Sequence, residues 1–332
     1  VAGDYRKTVL DNGIRVITEK ISSRTVSAGI WVEAGARDES PADNGISHFL
    51  EHMLFKGTPA RDAMQIAQEF DSLGGMSNAF TSGETTAYYA TVLDDQLEGL
   101  LDLLGDIFMN SLFAPEEVAR EREVILQEIS MVEDTPDDRI HELFAGALWG
   151  EHPLGYTVLG RREVVAAMEP DNLRQYLARR YTPERIVIAA AGNVEHDELC
   201  RLCRKQFAGL RGNSGPVLRQ PPEPLAPECR LYPKKLEQAH LVLGGQGLSL
   251  TAPERYALYL LHVLLGGNMS SRLFQEVREK AGLAYSIYSY LSSFSDSGIF
   301  GIYLGVDPGA VNRALALVAR EIKALRSEAV SP

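Results

Sequence analysis

The 332-residue chain has only three cysteines, Cys200, Cys203 and Cys229. An odd number cannot all pair within one chain, which excludes a fully paired disulfide framework and points to a reducing compartment. Cys200-x-x-Cys203 has half the spacing of a zinc-binding motif, but no second pair accompanies it. It also falls inside a helical pattern, so it reads as two packed thiols. Basic residues are in deficit: 33 Lys and Arg against 45 Asp and Glu leave a formal net charge of −12. That balance argues against a nucleic-acid-binding surface, which needs clustered Lys and Arg, and it suits an acidic cavity that attracts basic peptides. No apolar run approaches the ~18 residues of a membrane span, and no charged-then-apolar leader opens the chain. The first residue is Val1, not Met, so removal of a targeting segment stays open.

Histidine is also scarce, with 7 in the chain, yet two stand four apart in Gly45-Ile46-Ser47-His48-Phe49-Leu50-Glu51-His52. On a helix, positions i, i+3 and i+4 share a face. His48 and His52 can then hold one tetrahedral metal while Glu51 points at its open position. The order H-x-x-E-H inverts the commoner H-E-x-x-H. A catalytic zinc site needs a third protein ligand and a vacant place for water. A Glu-rich helical stretch from Ala114 to Ile129, opened by Pro115, offers candidates, with Glu121 and Glu128 seven apart on one face. The other histidines, His141, His152, His196, His240 and His262, lack partners at metal spacing. Gly244-Gly245-Gln246-Gly247 and Gly266-Gly267-Asn268 lack the Lys-Ser/Thr of a phosphate loop.

His48-Phe49-Leu50-Glu51-His52, followed by Glu128 76 positions after His52, resembles the pitrilysin/insulinase family of zinc peptidases. The likeness extends to its bacterial peptidases and to the catalytic beta subunit of mitochondrial processing peptidase. The resemblance implies one Zn²⁺ per chain bound by His48, His52 and Glu128, with Glu51 as general base and Glu121 orienting the ligands. It also implies roles in the second half of the chain, where Arg278-Glu279-Lys280-Ala281-Gly282-Leu283-Ala284-Tyr285 matches a family pair. There Arg278 contacts peptide and the Tyr285 hydroxyl stabilises the tetrahedral intermediate. In Ser77-Asn78-Ala79-Phe80-Thr81, the resemblance makes Asn78, Ala79 and Phe80 part of an edge strand that binds substrate by β-augmentation. The expected partner is a peptide or unfolded polypeptide, with no nucleic acid and no membrane. A homodimer or a homologous partner subunit stays open. The short Gly266 segment favours the catalytic or stand-alone bacterial branch over a glycine-rich non-catalytic subunit. A bacterial cytoplasmic location is expected, with the mitochondrial matrix, or the periplasm after leader removal, as alternatives. Zinc endopeptidase is the leading function, and a non-catalytic scaffold subunit or a peptide-binding module is the alternative.

The fold class expected is α+β: two homologous α/β-sandwich halves, each a mainly antiparallel sheet packed with helices, closing as a clamshell. Asn12-Gly13 predicts a tight type I′ hairpin at the start. Residues 1–210 are expected to form the zinc-binding domain. Residues 211–227, with five prolines and no apolar periodicity, are expected to form a linker. Residues 228–332 repeat the first-half order in shorter form. Because Ala329-Val330-Ser331-Pro332 matches Leu112-Phe113-Ala114-Pro115, the second half is expected to be cut short at its C-terminal side.

Overall fold

Buried and exposed positions alternate along the strands until a strand is covered on both faces. The computed structural model describes residues 4–212, 215, 217–223, 226–328 and 330. It opens with β1 (Asp4–Val9), β2 (Arg15–Lys20) and β3 (Thr25–Val32). In β3, Val26, Ala28, Ile30 and Val32 are fully buried, which fixes the register of the strand against the core. Then follow α1 (Ile46–Met53), α2 (Ala63–Ser72), β4 (Met76–Thr81), β5 (Thr86–Leu93), α3 (Leu97–Asn110), α4 (Pro115–Asp134) and α5 (Pro136–Trp149). After these come α6 (Arg162–Ala166), α7 (Pro170–Arg180), β6 (Ile186–Gly192) and α8 (His196–Gln206). The rest is β7 (Ala239–Gln246), α9 (Arg255–Leu265), a π-helix (Phe274–Lys280), β8 (Ala284–Ser293), β9 (Gly298–Val306) and α10 (Val311–Ser327). No helix among the described residues is long and apolar enough to cross a membrane.

The chain divides into two compact units, Val1–Ser130 with Tyr156–Arg219, and Met131–Gly155 with Gln220–Pro332. In the first, one sheet runs β1-β2-β6-β3-β5-β4, antiparallel except for the parallel β2–β6 pair. Its core packs Ile30 and Ile188 of the sheet with Phe49, Leu50 and Met53 of α1 and Leu100, Leu104 and Ile107 of α3. Each such burial contributes about 1.5–3 kcal/mol. An eight-residue helix such as α1 gains too little from its own backbone to stand alone, so packing is what forms it. In the second unit, β7-β9-β8 are antiparallel, and a core of Leu265, Val277, Ile287, Leu304 and Val318 joins the sheet to the helices. The order strand, helix, helix, strand, strand, helix occurs in both units. So does the sheet order, β3-β5-β4 matching β7-β9-β8. These are the two homologous halves.

Three local features differ from the sequence expectation. The first hairpin is not a two-residue type I′ turn, because Asn12 does not take positive φ. Leu10–Ile14 instead form a longer loop, closed by Leu10 N–H donating to Ile14 O, with Asn12 Nδ2 donating to Phe207 O at 3.2 Å. Met131–Gly155, sequence neighbours of the first half, group with the second unit. There Trp149 and Leu154 bury against Ile299, and the His141 imidazole meets the Tyr288 hydroxyl at 3.0 Å. Within the expected linker, Arg219 belongs to the first unit, where its guanidinium donates to Asp38 at 2.8 Å and to the Glu84 carbonyl at 3.1 Å. Of Ala329–Pro332 only Val330 lies among the described residues, so the expected match with Leu112–Pro115 lies outside them.

Gly45, which starts α1, has φ +98°, and a Cβ there would lie 2.7 Å from Gly160 Cα and 2.8 Å from Leu159 O. Gly74 also has positive φ, at +68°, but nothing lies within 4 Å of its would-be Cβ. Both Ala variants carry the left-handed strain of about 1–2 kcal/mol. Gly45→Ala adds a backbone clash of about 1–3 kcal/mol. Urea denaturation is therefore expected to show the larger loss for Gly45→Ala, and equal losses would refute the close-approach argument.

Candidate metal centre

Helix α1 has no side-chain cap of its own, since its N-cap is Gly45. Glu39, six residues upstream and buried, supplies one. Its Oε2 accepts from Gly45 N at 2.7 Å and Asn44 Nδ2 at 3.0 Å, and its Oε1 accepts from Ser47 N at 2.8 Å. These bonds satisfy donors that a helix start leaves unpaired. Burial nevertheless dominates and pushes the Glu39 carboxyl up to about 7. The Ser47 hydroxyl lies 2.8 Å from the buried Tyr176 hydroxyl of α7. With Phe49, Leu50 and Met53 turned into the core, His48, Glu51 and His52 share the opposite, partly exposed face.

Helix α4 brings the carboxylates. Glu128 Oε2 lies 3.8 Å from His48 Nε2 and 3.7 Å from His52 Nε2. The ligand atoms of these three residues all fall within 4.8 Å of one another. Zinc bonds of about 2.0–2.1 Å in a tetrahedron would set ligands roughly 3.4 Å apart, close to the 3.7 and 3.8 Å from Glu128 to the two histidines, so these three residues fit such an ion. His52 Nδ1 faces Glu121 Oε2 at 3.1 Å. That bond places the proton on Nδ1 and leaves the Nε2 lone pair for a metal. Glu121, buried in the helix interface, is itself held by Lys56 Nζ at 2.6 Å. His48 Nδ1 is buried without a hydrogen-bond partner. Burial first, and then the neighbouring His52, lower the His48 pKa to about 4, so at neutral pH the ring is an uncharged donor fit for a cation.

Glu51 does not join that triad. Its Oε2 accepts from the Thr81 hydroxyl at 2.6 Å. Burial raises its pKa, against the opposing pull of Thr81 and His52. Glu51, His52, Phe55, Lys56, Ser77, Asn78, Ala79 and Glu121 line a cleft of about 330 Å³. One wall is β4, the last strand of its sheet, so one backbone edge of Asn78, Ala79 and Phe80 has no strand partner among the described residues. Phe80 is 42% exposed and meets Tyr89 edge-on. Asn78 Oδ1 accepts from Ala79 N at 2.8 Å.

Arg278 and Tyr285 belong to the second unit. Tyr285 sits at a break in the β8–β9 register and is 78% exposed, as a bulge residue turned out of the sheet. The Arg278 guanidinium lies 5.3 Å from the Tyr285 ring centre and 4.6 Å from that of Phe274. The remaining histidines bond to ordinary neighbours: His196 to Thr8 and Thr18, His240 to Tyr303, His262 to Ser289. Cys200 and Cys203 are free and packed in α8, and Cys229 is free and exposed. Sequence reasoning missed Glu39, Lys56 and Thr81. Lys56 alone carried a signal, being one helical turn past His52.

Glu39 gives a signed pH test. Its folded pKa of about 7 exceeds the ordinary 4.5, so its stabilisation is complete below pH 4.5 and is lost as pH rises through about 7. Glu39→Gln cannot titrate. Chemical denaturation across that window is expected to show the stability of wild type relative to Glu39→Gln falling as pH rises; a constant difference would refute the burial of this carboxyl.

Residues 15–162 match the family model "Insulinase (Peptidase family M16)" and residues 167–332 match "Peptidase M16 inactive domain". An uncharacterized zinc protease of Streptomyces coelicolor is 45% identical over 332 residues, covering 96% of this chain and 72% of that protein. One of Bacillus subtilis is 42% identical over 327 residues, covering 98% and 80%. Among solved structures, a protease from Helicobacter pylori superposes with a TM-score of 0.91 at 22% identity, covering 99% of this chain and 82% of that one. A peptidase M16 inactive domain from Pseudomonas fluorescens gives 0.89 at 23% identity, covering 98% and 80%. At those identities the solved structures speak for the fold, and the sequence relatives for the family. The chain belongs to the insulinase family of peptidases, family M16.

Proposed function

We propose that the chain is a zinc-dependent endopeptidase that hydrolyses peptides or unfolded, presequence-like segments. The observation that carries this reading is the convergence of His48 Nε2, His52 Nε2 and a Glu128 oxygen beside Glu51, a carboxylate that stands outside the triad and faces a cleft. Two imidazoles and a carboxylate suit Zn²⁺, which when bound supplies a Lewis acid and lowers the pKa of water toward ~7. The protein does the rest. Glu121 fixes the His52 tautomer, and burial keeps His48 neutral. Glu51 takes the proton of the attacking water and returns it to the leaving amine. The open edge of β4 accepts an extended backbone through Asn78, Ala79 and Phe80, giving affinity with little sequence preference. Arg278 holds peptide, and the Tyr285 hydroxyl donates to the developing oxyanion; both roles rest on family resemblance and on the outward turn of Tyr285.

Glu51→Gln is expected to retain zinc and to lose on the order of 10²-fold or more in turnover of a quenched peptide. His48→Ala, His52→Ala and Glu128→Ala are expected to lose zinc itself. Metal analysis and cleavage on the same samples check both, and full turnover by Glu51→Gln with zinc bound would refute its role. Tyr285→Phe is expected to lower kcat about 10²-fold at unchanged zinc content, the scale of one oxyanion donor. An unchanged kcat removes Tyr285 from the mechanism and leaves the metal assignment standing.

A further inference from the structure

Glu51 has two carboxylate oxygens, and the structure gives them different surroundings. Oε2 accepts from Thr81 Oγ1 at 2.6 Å, the short distance of a hydrogen bond to a charged acceptor. Thr81 closes β4 and pairs across the strand with Thr86, whose hydroxyl oxygen lies 3.5 Å from that of Thr81. Thr86 is fully buried and donates its one proton to the Ala34 carbonyl at 3.0 Å. It therefore has no proton to offer Thr81. A hydroxyl carries a single proton. That of Thr81 goes to Glu51, the stronger and nearer acceptor. The Thr81 side chain is in turn fixed by the β4–β5 ladder that carries it.

The geometry points to Thr81 as the positioning residue of the base, holding Glu51 Oε2 so that Oε1 is the oxygen that takes up and returns the proton. The inference rests on the peptidase reading above and deepens it. A glutamate on the exposed side of a helix turns freely about its side-chain torsions. Unheld, Glu51 could point into solvent, or swing toward the place where His48, His52 and Glu128 would hold a cation and compete there as a ligand. With Oε2 tied to β4, the base is also registered against the strand whose edge receives substrate. Base and scissile bond then share one frame of reference. Orientation of this kind acts on the chemical step and not on substrate affinity.

The test is a set of four proteins: wild type, Thr81→Val, Thr81→Ser and the double variant Glu51→Gln/Thr81→Val. Zinc affinity is measured by chelator competition, and kcat and KM on a quenched peptide. Thr81→Val is expected to bind zinc as wild type does and to keep KM within about threefold, while kcat falls roughly 10- to 100-fold, the span of a lost hydrogen bond to a charged group. Thr81→Ser, which restores the hydroxyl, is expected to recover most of the rate. In the Glu51→Gln background Thr81→Val is expected to cost nothing further, because the group it positions is gone. A wild-type kcat in Thr81→Val overturns the proposal. So does weakened zinc binding, or an equal fractional loss with and without Glu51, since either places the effect elsewhere. A zinc-loaded wild type that cleaves nothing overturns the peptidase reading itself, and this proposal with it.

Discussion

Two imidazoles whose ring centres lie 4.7 Å apart can be aimed at one point only if both stay uncharged. A protonated pair at that distance repels, and in a half-buried pocket the repulsion is poorly screened. The fold meets this constraint at His48, which it buries deeply enough to hold its pKa near 4. At His52 it sets the orientation of the ring, since a carboxylate partner at Nδ1 leaves Nε2 as the free nitrogen. Both lone pairs then face Glu128. The approach of His48 and His52 on α1 to Glu128 on α4 is the structural expression of that requirement, and the carboxyl oxygens of Glu128 complete a donor set that suits a cation.

Around that cluster, buried polar groups add to what apolar packing does. Packing of Phe49, Leu50 and Met53 sets which face of α1 is turned inward. Glu39, bonded to Gly45 N and Ser47 N, fixes its start, and the close approach of Gly45 to Gly160 limits how the start can move. Lys56 and Glu121 then tie the far end of the same surface to α4. A buried carboxylate without partners is costly. Glu121 is bonded to His52 and Lys56, and Glu39 to Asn44, Gly45 and Ser47, so both hold geometry, although for Glu39 burial still outweighs the bonds and its ionised form costs stability.

The metal helix was the most legible part of the sequence, because His48, Glu51 and His52 repeat at helical spacing and chemistry restricts which residues can do so. Glu128 was less legible: α4 is rich in Glu, and periodicity alone does not say which of them faces α1. The two halves could be read from element order, and the sheet orders β3-β5-β4 and β7-β9-β8 bear that out. Long-range polar contacts were hidden. Glu39 is one acid in a loop, and the Thr81–Glu51 bond joins residues 30 apart; in each case the chain path, and not the local pattern, makes the contact. Met131–Gly155 were hidden for a related reason. An amphipathic helix announces that it has an apolar face, but Phe144, Leu148 and Trp149 do not announce which sheet will cover them. The loop at Asn12 differs because a side-chain bond to Phe207 O outweighs the turn preference of Asn-Gly.

X-ray absorption at the zinc edge tests the central claim most directly, because it reads the ligand set rather than its consequences. The purified protein loaded with one equivalent of zinc is expected to show four light-atom neighbours at about 2.0–2.1 Å, with the outer-shell scattering of two imidazoles and no sulfur. Glu51→Gln is expected to leave that spectrum unchanged, since the base is not a ligand. A sulfur shell at about 2.3 Å, or the signature of a single imidazole, would contradict the assignment of His48, His52 and Glu128 as the metal site.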